Sequence, residues 1–362
     1  MRLAVDESVD NEGTGVDPHI IIPTMGERVT DETRPAHHGP DGRFRIPWPL
    51  EIADQRSGGS IFRWQWERLT HKRAPNPRPE QVPVVPHAVA QPRAAEGEIR
   101  VTWVGHASFL IQAAGLNLLT DPHWSRRASP SQRIGPARFQ EPGVPFDALP
   151  PIDAVLLSHD HYDHLDQGTV ERLHARHGNA LRWITPLAYR RWFAGVGVTS
   201  VTELDWWDEA DVGGIRVVCA PAQHWTRRKL KEMNDRLWAS YALLLPDGKR
   251  IYFGGDSGYF RGYQEIGSRL GPFDVSMIPI GAYDPRWFMA PAHMNPEEAV
   301  RAYRELGGRG AFVPMHWGTF RLTDEDPLEP PVRARVAWDA AHLRPADLHV
   351  LRHGETLVLG DG

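Results

Sequence analysis

Residues 158–166 read SHDHYDHLD and place three histidines and three aspartates directly after the apolar run 154–157. The apolar run predicts a buried strand, and a loop after a strand can fold its side chains toward one point. Imidazoles and carboxylates without a thiolate suit Zn²⁺, Fe or Mn. A solvated polar loop is the alternative, but it would not need three imidazoles here. We therefore predict a metal site whose first candidate ligands are His159, His161, Asp163 and His164.

Three more candidate ligands follow downstream, each near the end of a predicted strand. His224 comes shortly after the strand 215–219, and His316 comes just after the strand 311–314. Asp256 follows two glycines, which let the backbone come close to a neighbour. One such residue could be chance, but three at strand ends predict a convergent site.

The surrounding motifs make a family resemblance specific. They read WVGHAS at 103–108, PAQHW at 221–225, GDSGY at 255–259, IGAYDPRWFM at 280–289 and HWGTF at 316–320. Together with SHDHYDHLD they resemble the metallo-β-lactamase superfamily and, more closely, the N-acyl-phosphatidylethanolamine-hydrolysing phospholipase D family. The resemblance runs from about Arg43 to the C-terminus. It implies a four-layer αβ/βα sandwich.

The same resemblance implies two Zn²⁺ per chain. The implied ligands are His159, His161 and His224 for the first metal, Asp163, His164 and His316 for the second, and Asp256 as a bridge between them. Two metals about 3.5–4 Å apart can hold a hydroxide as nucleophile and stabilise charge at an attacked phosphorus. An ester or lactam carbonyl would accept the same hydroxide, so the metals alone do not fix the substrate.

Asp163, Asp256 and His293 are the predicted catalytic residues. The resemblance suggests that His293, just before a predicted helix, contacts the substrate or donates a proton; a local hydrogen bond at the helix entry is the alternative. Arg227 and Arg228 lie in a basic run shortly after one of the histidine ligands. We predict that they bind a phosphate or an anionic surface, although most charge runs are solvated faces.

The strand and helix pattern predicts the fold class α+β. Many short strands, often joined by hairpins, and few helices predict two mostly antiparallel sheets with helices outside. Residues 167–177 are one predicted helix, and another begins after a capping box formed by Asn295 and Glu298. Two strands, 348–352 and 356–359, are predicted near the C-terminus.

Residues 1–97 are a predicted N-terminal arm that is polar and rich in proline. Its aromatic clusters at 44–50 and 61–66 would be costly to leave in water, so we expect part of the arm to pack on the core. Residues 98–362 are the predicted metallo-β-lactamase-fold hydrolase domain.

Charge and cysteine content narrow the partners and the location. The net charge of −5 gives no reason to expect nucleic acid as a partner. A single cysteine allows no intrachain disulfide. The sequence has no signal-peptide pattern and no apolar stretch long enough to span a membrane. We expect a cytoplasmic protein, with peripheral membrane contact and a homodimer left open.

The sequence favours a dinuclear zinc hydrolase that cleaves a phosphodiester in a phospholipid-like substrate. The family that it resembles cuts between the phosphate and the N-acylethanolamine and releases phosphatidic acid. Two alternatives stay open. One is a hydrolase of lactones, other carbonyl compounds or small soluble phosphodiesters; the other is a metal-bound sensor or partner-binding module with little turnover. The complete set of seven candidate ligands argues against the module.

Overall fold

The computed structural model describes residues 34–50, 58–70, 73–85, 92–229 and 231–360. The chain divides into two compact units, Met1–Ala36 and His37–Gly362. Only residues 34–36 of the first unit are described, so the fold is that of the second unit. The predicted division between residues 97 and 98 stays a prediction.

Short strands and helices build the described part of the second unit. The strands are β1 (Ile99–Gly105), β2 (Ser108–Ala113), β3 (Leu116–Thr120), β4 (Ala154–Leu156), β5 (Arg182–Pro186), β6 (Val201–Leu204), β7 (Glu209–Val212), β8 (Ile215–Ala220), β9 (Ser240–Leu244), β10 (Arg250–Phe253), β11 (Val275–Pro279), β12 (Ala311–Met315) and β13 (Thr356–Leu359). The α-helices are α1 (Gly58–Thr70), α2 (Gln167–His177), α3 (Arg190–Ala194), α4 (Gly262–Leu270), α5 (Arg286–Met289), α6 (Pro296–Glu305) and α7 (Pro330–Ala340).

The strands form two sheets. The first sheet has the order β13-β1-β2-β3-β4-β5-β6, and the second has the order β12-β11-β10-β9-β8-β7. In the first sheet, neighbours from β13 to β3 are antiparallel and those from β3 to β6 are parallel. In the second sheet, β10, β11 and β12 run parallel, and the remaining neighbours are antiparallel.

Both sheets are therefore mixed. Among the described strands, three of the six neighbouring pairs in the first sheet and three of the five in the second are antiparallel, so the predicted antiparallel majority holds only for the second sheet. Hairpin-connected strands such as β1, β2 and β3 are antiparallel, but strands joined through a helix can return in the same direction. Helix α2 lies between β4 and β5, α3 between β5 and β6, and α4 between β10 and β11. Which strands become neighbours depends on the packed fold, so the sequence pattern did not reveal these crossovers.

Apolar side chains pack on both faces of the first sheet. In β2, Phe109 and Ile111 join an apolar cluster that includes residues of the second sheet, whereas Leu110 between them joins another cluster. That other cluster includes Val170 of α2 and Phe193 of α3. Successive side chains of a strand point to opposite faces, so one set meets the facing sheet and the other meets helices. The predicted sandwich with helices outside is confirmed.

Helix α6 confirms the predicted capping box. Asn295 Oδ1 accepts a hydrogen bond from Glu298 N at 2.8 Å, and the Glu298 carboxylate accepts one from Asn295 N at 3.1 Å. The helix packs on the second sheet, where the ring of Tyr303 lies 5.5 Å from that of Phe312 in β12. Helix α2 likewise spans the predicted residues 167–177.

The C-terminal segment differs from the prediction of two strands. Residues 356–359 form β13, but residues 348–352 make only an isolated bridge between Leu348 and Phe312. The chain here passes from β12 of the second sheet to β1 of the first, so it cannot stay in a ladder with either strand. Its apolar pattern reflects burial, as at Leu351, rather than strand pairing.

The segment 37–50 packs on the rest of the second unit through aromatic rings. Phe44 is buried. The ring of Trp48 stacks on Phe260 and on Trp206, with centroids 4.6 and 5.5 Å apart. These contacts shield the Phe44 ring and part of the Trp48 ring from water.

Helix α1 has one packed and one exposed aromatic face. Trp64 stacks on Phe288, and its Nε1 donates to Asp324 Oδ2 at 2.6 Å. Phe62 and Trp66, one helical turn apart on another face, are 72% and 60% exposed. Within the described ranges, none of the helices is both long and apolar enough to cross a membrane.

Candidate metal centre

The loop 158–166 turns back on itself directly after β4. The amides of His164 and Leu165 both donate to the carbonyl of His161, at 3.1 and 2.8 Å. This turn gathers the side chains of the loop at the end of the first sheet, as the sequence predicted.

Asp160 and Arg228 anchor the loop 158–166 to the loop that follows His224. The buried Asp160 carboxylate accepts from Arg227 N at 3.0 Å and from Arg236 Nη1 at 2.9 Å. Arg228 Nη1 donates to the carbonyls of Asp160 and Leu165, each at 2.9 Å. The guanidinium of Arg228 is therefore bound to the protein, which favours a positioning role over the predicted contact with substrate.

The other three candidate ligands arrive from strands of the second sheet. His224 follows β8, Asp256 follows β10 and His316 follows β12. Gly255 has a φ of +56°, and a Cβ atom there would lie 2.6 Å from the Cβ of Ser158. The backbone conformation of Gly255 and its short distance to Ser158 both favour glycine at this position.

His159, His161 and His224 form what we call the first donor group. His161 Nδ1 lies 2.9 Å from His159 Nε2 and 3.1 Å from His224 Nε2. The structure thus brings together one nitrogen from each of the three predicted ligands of the first metal.

The tautomers in the first donor group follow from its hydrogen bonds. Ser158 Oγ donates to Asp121 Oδ2, so His159 Nδ1 donates to Ser158 Oγ at 2.9 Å. His224 Nδ1 donates to the carbonyl of Ala292 at 2.9 Å. A neutral imidazole carries one ring proton. The Nε2 atoms of His159 and His224 therefore present lone pairs to the centre.

Asp163, His164 and His316 form the second donor group. His164 Nε2 lies 3.2 Å from His316 Nε2 and 3.3 Å from Asp163 Oδ2, and His316 Nε2 lies 3.4 Å from the same oxygen. His106 Nε2 donates to Asp163 Oδ2 at 2.9 Å, and His164 Nδ1 donates to Asp121 Oδ2 at 2.6 Å. An imidazole and a carboxylate therefore support this group from behind.

Asp256 lies between the two donor groups. Its Oδ2 is 3.1 Å from His164 Nε2, and its Oδ1 is 3.1 Å from His316 Nε2. The same Oδ2 is 3.8 Å from His159 Nε2 and 3.9 Å from His224 Nε2. One carboxylate thus faces both groups, as the bridging position requires.

These donors fit divalent metal ions. In the first group, the Nε2 lone pairs of His159 and His224 both face His161 Nδ1. This nitrogen carries at most one proton, so it can donate a hydrogen bond to only one of them. Tetrahedral zinc with Zn–N bonds of about 2.0–2.1 Å holds its nitrogen ligands about 3.4 Å apart, close to the separations observed here. Imidazole and carboxylate donors without a thiolate also suit Zn²⁺, Fe or Mn.

Burial and charge act differently on the two donor groups. Burial, with a smaller contribution from neighbouring imidazoles, holds the pKa of His159 and of His224 well below its usual value. Burial also acts to lower the pKa of the two histidines in the second group, but carboxylates led by Asp256 outweigh it. They raise the pKa of His316 to about 9 and that of His164 well above its usual value.

His293 lines the same centre. Its ring centroid lies 5.1 Å from that of His224 and 5.7 Å from that of His316, and its Nδ1 is 3.9 Å from Asp256 Oδ2. Burial lowers the pKa of His293 to about 3, so its ring is neutral at neutral pH. The predicted catalytic histidine is therefore close to both donor groups.

Asp121 was not singled out from the sequence, yet it supports both donor groups. Its carboxylate accepts from His164 Nδ1 at 2.6 Å, from Ser158 Oγ at 2.5 Å and from Ser158 N at 2.7 Å. It follows β3, the parallel neighbour of β4, so it ends at the same edge of the sheet as the loop 158–166. The sequence signal that could have identified Asp121 was a carboxylate at the end of a predicted strand.

Gln223 is a second residue to which the sequence assigned no role. Its Nε2 donates to the carbonyls of Tyr259 and Pro291, at 3.1 and 3.3 Å, and its Oε1 accepts from Trp48 Nε1 at 2.9 Å. Directly beside His224, Gln223 therefore connects the segments that contain Trp48, Tyr259 and Pro291. The sequence carries no local signal for such long-range contacts.

Comparison with known sequences identifies relatives over most of the chain. A beta-lactamase superfamily domain matches residues 116–317. N-acyl-phosphatidylethanolamine-hydrolyzing phospholipase D 1 of Caenorhabditis elegans is 35% identical, over 88% of this chain and 93% of its own length. An uncharacterised protein of Mycobacterium tuberculosis is 43% identical, over 73% of this chain and 71% of its own length.

A solved structure shares the fold. Igni18, a metallo hydrolase of the archaeon Ignicoccus hospitalis, has a TM-score of 0.55 at 20% identity, over 73% of this chain and all of its own. The superfamily domain covers more than half of the chain, and the nematode relative covers most of it. The chain therefore belongs to the metallo-β-lactamase superfamily and, within it, to the family of N-acyl-phosphatidylethanolamine-hydrolysing phospholipases D, and it is a metal-dependent hydrolase.

Proposed function

We propose that the protein is a dinuclear zinc hydrolase that cleaves a phosphodiester in a phospholipid-like substrate, in a reaction of the N-acylphosphatidylethanolamine phospholipase D type. The observation that carries the proposal is the pair of donor groups on either side of Asp256. The name of the nematode relative supports the substrate class. Phosphodiester hydrolysis fits such a centre because both the attacking and the leaving oxygen need charge stabilisation.

The first donor group would hold one metal ion and the second donor group the other, with Asp256 shared. When bound, two Zn²⁺ would supply an activated water and Lewis-acid stabilisation of charge on the phosphoryl oxygens. The protein orients the donors for this task. Ser158 and Ala292 hold imidazoles of the first group, whereas Asp121 and His106 hold members of the second.

His293 is proposed to donate a hydrogen bond to the leaving oxygen. Hydrolysis forms a bond from the water oxygen to phosphorus, breaks the bond from phosphorus to the leaving oxygen, and delivers a proton to that oxygen. The neutral ring of His293 carries one proton, and its Nδ1 makes no hydrogen bond to the described residues. A hydrogen bond from this ring would stabilise the leaving oxygen as negative charge develops, and the proton that this oxygen takes up is one released by the attacking water.

Arg227 is the stronger candidate for a contact with the phosphate. Its amide is held by Asp160, and its guanidinium lies 5.9 Å from the ring centroid of Trp225, which in turn packs 4.4 Å from the ring of His161. This sequence of contacts keeps Arg227 near the first donor group. Arg228, whose guanidinium binds loop carbonyls, is proposed to position the loop instead.

The exposed face of α1 supports peripheral contact with a phospholipid membrane. Phe62 and Trp66 are largely exposed, and the side chain of Arg63 beside them is 60% exposed. Exposed aromatic residues flanked by arginine are typical of helices that lie in a membrane interface. The homodimer stays a prediction.

An activity screen of the purified, zinc-loaded protein tests the proposed reaction. We expect turnover of N-acylphosphatidylethanolamine and of bis-(p-nitrophenyl) phosphate, but not of lactones or β-lactams. Turnover of lactones without turnover of either diester would support the carbonyl hydrolase instead. Metal analysis that finds fewer than about two zinc equivalents per chain would contradict the dinuclear centre.

A further inference from the structure

A separate cluster of histidine and carboxylate side chains lies outside the two donor groups. His37 Nε2 contacts Asp205 Oδ1 at 2.6 Å, and His38 Nε2 contacts Asp205 Oδ2 at 2.7 Å. One donor atom from each residue lies within 4.8 Å of the other two. Asp205 directly follows β6, so one carboxylate at a strand end receives two consecutive imidazoles from the N-terminal side of the second unit.

The surroundings hold these three side chains in place. His37 stacks on Trp206 with a centroid distance of 4.2 Å, and His38 packs edge-on against Phe44 at 5.1 Å. Asp205 Oδ1 also accepts from the amide of Trp206 at 2.8 Å. The side chain of His38 is 27% exposed, so solvent reaches the cluster on that side.

We propose that His37, His38 and Asp205 form a further divalent-metal site, suited to Zn²⁺ and separate from the two donor groups around Asp256. Two imidazoles and one carboxylate are donors that Zn²⁺ and related ions prefer, and water from the exposed side completes the coordination. In the metal-free protein each Nε2 donates its proton to the Asp205 carboxylate, so metal binding requires Nε2 to lose that proton. A neutral ring then carries its proton on Nδ1, and a protonated ring releases one proton to solvent.

A metal ion at this site would fasten the segment 37–50 to the hydrolase body. The same segment carries Trp48, whose Nε1 donates to Gln223 Oε1 at 2.9 Å. Gln223 precedes His224 of the first donor group. The site is thus positioned to stabilise the segment 37–50, in which Trp48 contacts the residue before His224.

Zinc counting on the full-length, zinc-loaded protein tests the proposal. Wild type, His38→Gln, Asp205→Asn and His342→Asn are dialysed against increasing free Zn²⁺, and bound zinc is measured by mass spectrometry. His342 is an exposed histidine with a φ of +53°, a conformation that asparagine tolerates, so its replacement is a matched control for the loss of one imidazole. We expect wild type and His342→Asn to bind one equivalent more than His38→Gln and Asp205→Asn.

Thermal unfolding supplies a second measurement that does not depend on activity. A metal that binds only the folded protein raises its melting temperature. We expect added Zn²⁺ to raise the melting temperature of wild type more than that of His38→Gln, whose partly exposed side chain can be replaced without loss of the fold. Equal zinc content and equal melting shifts in these two proteins would mean a hydrogen-bonded contact only and would overturn the proposal. Because the comparison is a difference between variants, it holds whatever reaction the catalytic centre performs.

Discussion

The two donor groups of the metal centre use similar side chains but are supported in different ways. Neutral partners orient the first group: Ser158 Oγ holds one imidazole and the carbonyl of Ala292 holds another. The second group contains the carboxylate of Asp163 and is supported by the carboxylate of Asp121. Asp121 therefore contacts the second group directly but reaches the first only through Ser158 Oγ.

The pKa values follow the same division. Burial dominates in the first group, where the pKa of His159 and of His224 lies well below its usual value. In the second group the carboxylates outweigh burial and raise the pKa of His316 to about 9. The carboxylates that face the imidazoles of the second group also attract a metal cation, which binds once those imidazoles have lost the ring protons that occupy the donor atoms. We therefore expect the second group to hold its metal more tightly than the first.

Removal of the shared carboxylate should disable both groups. Asp256→Asn keeps the size of the side chain but removes the charge that faces both sets of imidazoles. A loss of several kcal/mol of transition-state stabilisation corresponds to a kcat/KM lower by at least about 10²-fold. Steady-state kinetics with bis-(p-nitrophenyl) phosphate measure this change. Asp247→Asn, in the exposed turn between β9 and β10, is the matched control, and an unchanged kcat/KM in Asp256→Asn would rule out the shared role.

A change confined to the first group should separate the two metals. His161→Ala removes the nitrogen that lies near both other imidazoles of that group and leaves the second group intact. We expect this variant to bind about one zinc equivalent fewer than wild type and kcat/KM to fall at least about tenfold. Metal analysis and kinetics of the same preparation measure both. A zinc content equal to that of wild type, together with full activity, would mean that His161 is not a ligand.

The supporting residues test why the groups differ. Asp121→Asn removes the charge behind His164, and we expect zinc affinity in the second group to fall by about 10–100-fold. Ser158→Ala removes the neutral partner of His159, so its effect on affinity should be smaller. Competition with a chelator of known affinity compares the two variants. A larger loss in Ser158→Ala than in Asp121→Asn would contradict the charge argument.

The smallest expected effect concerns the contact between Trp48 and the residue beside His224. Trp48→Phe keeps an aromatic ring for stacking but removes the hydrogen bond to Gln223, so we expect a lower free energy of unfolding by about 1 kcal/mol. Urea denaturation measures this loss, and kcat/KM should change little. Trp66→Phe, at an exposed position of α1, should leave the unfolding free energy unchanged.

Local features of the sequence predicted much of this fold and centre. The capping box of Asn295 and Glu298 and the span of α2 depend on neighbouring residues, and both are confirmed. The loop 158–166 and the three remote candidates were recognised because they follow strands, and the structure brings all seven side chains together. Their roles as ligands stay a proposal. The crossovers and the end of the strand pattern at 348–352 were missed, because they depend on which strands become neighbours.

The sequence by itself determined the residue types of the centre, its position after β4, and the family to which the chain belongs, since these lie in short contiguous motifs. Only the tertiary structure decided the charge balance between the donor groups. Asp121, which supports the second group directly and the first through Ser158, belongs to a different strand end from His164. Only packing, likewise, brought His37 and His38 to Asp205 across more than 160 residues of chain. Such contacts depend on the alignment of whole strands and segments, which no local pattern encodes.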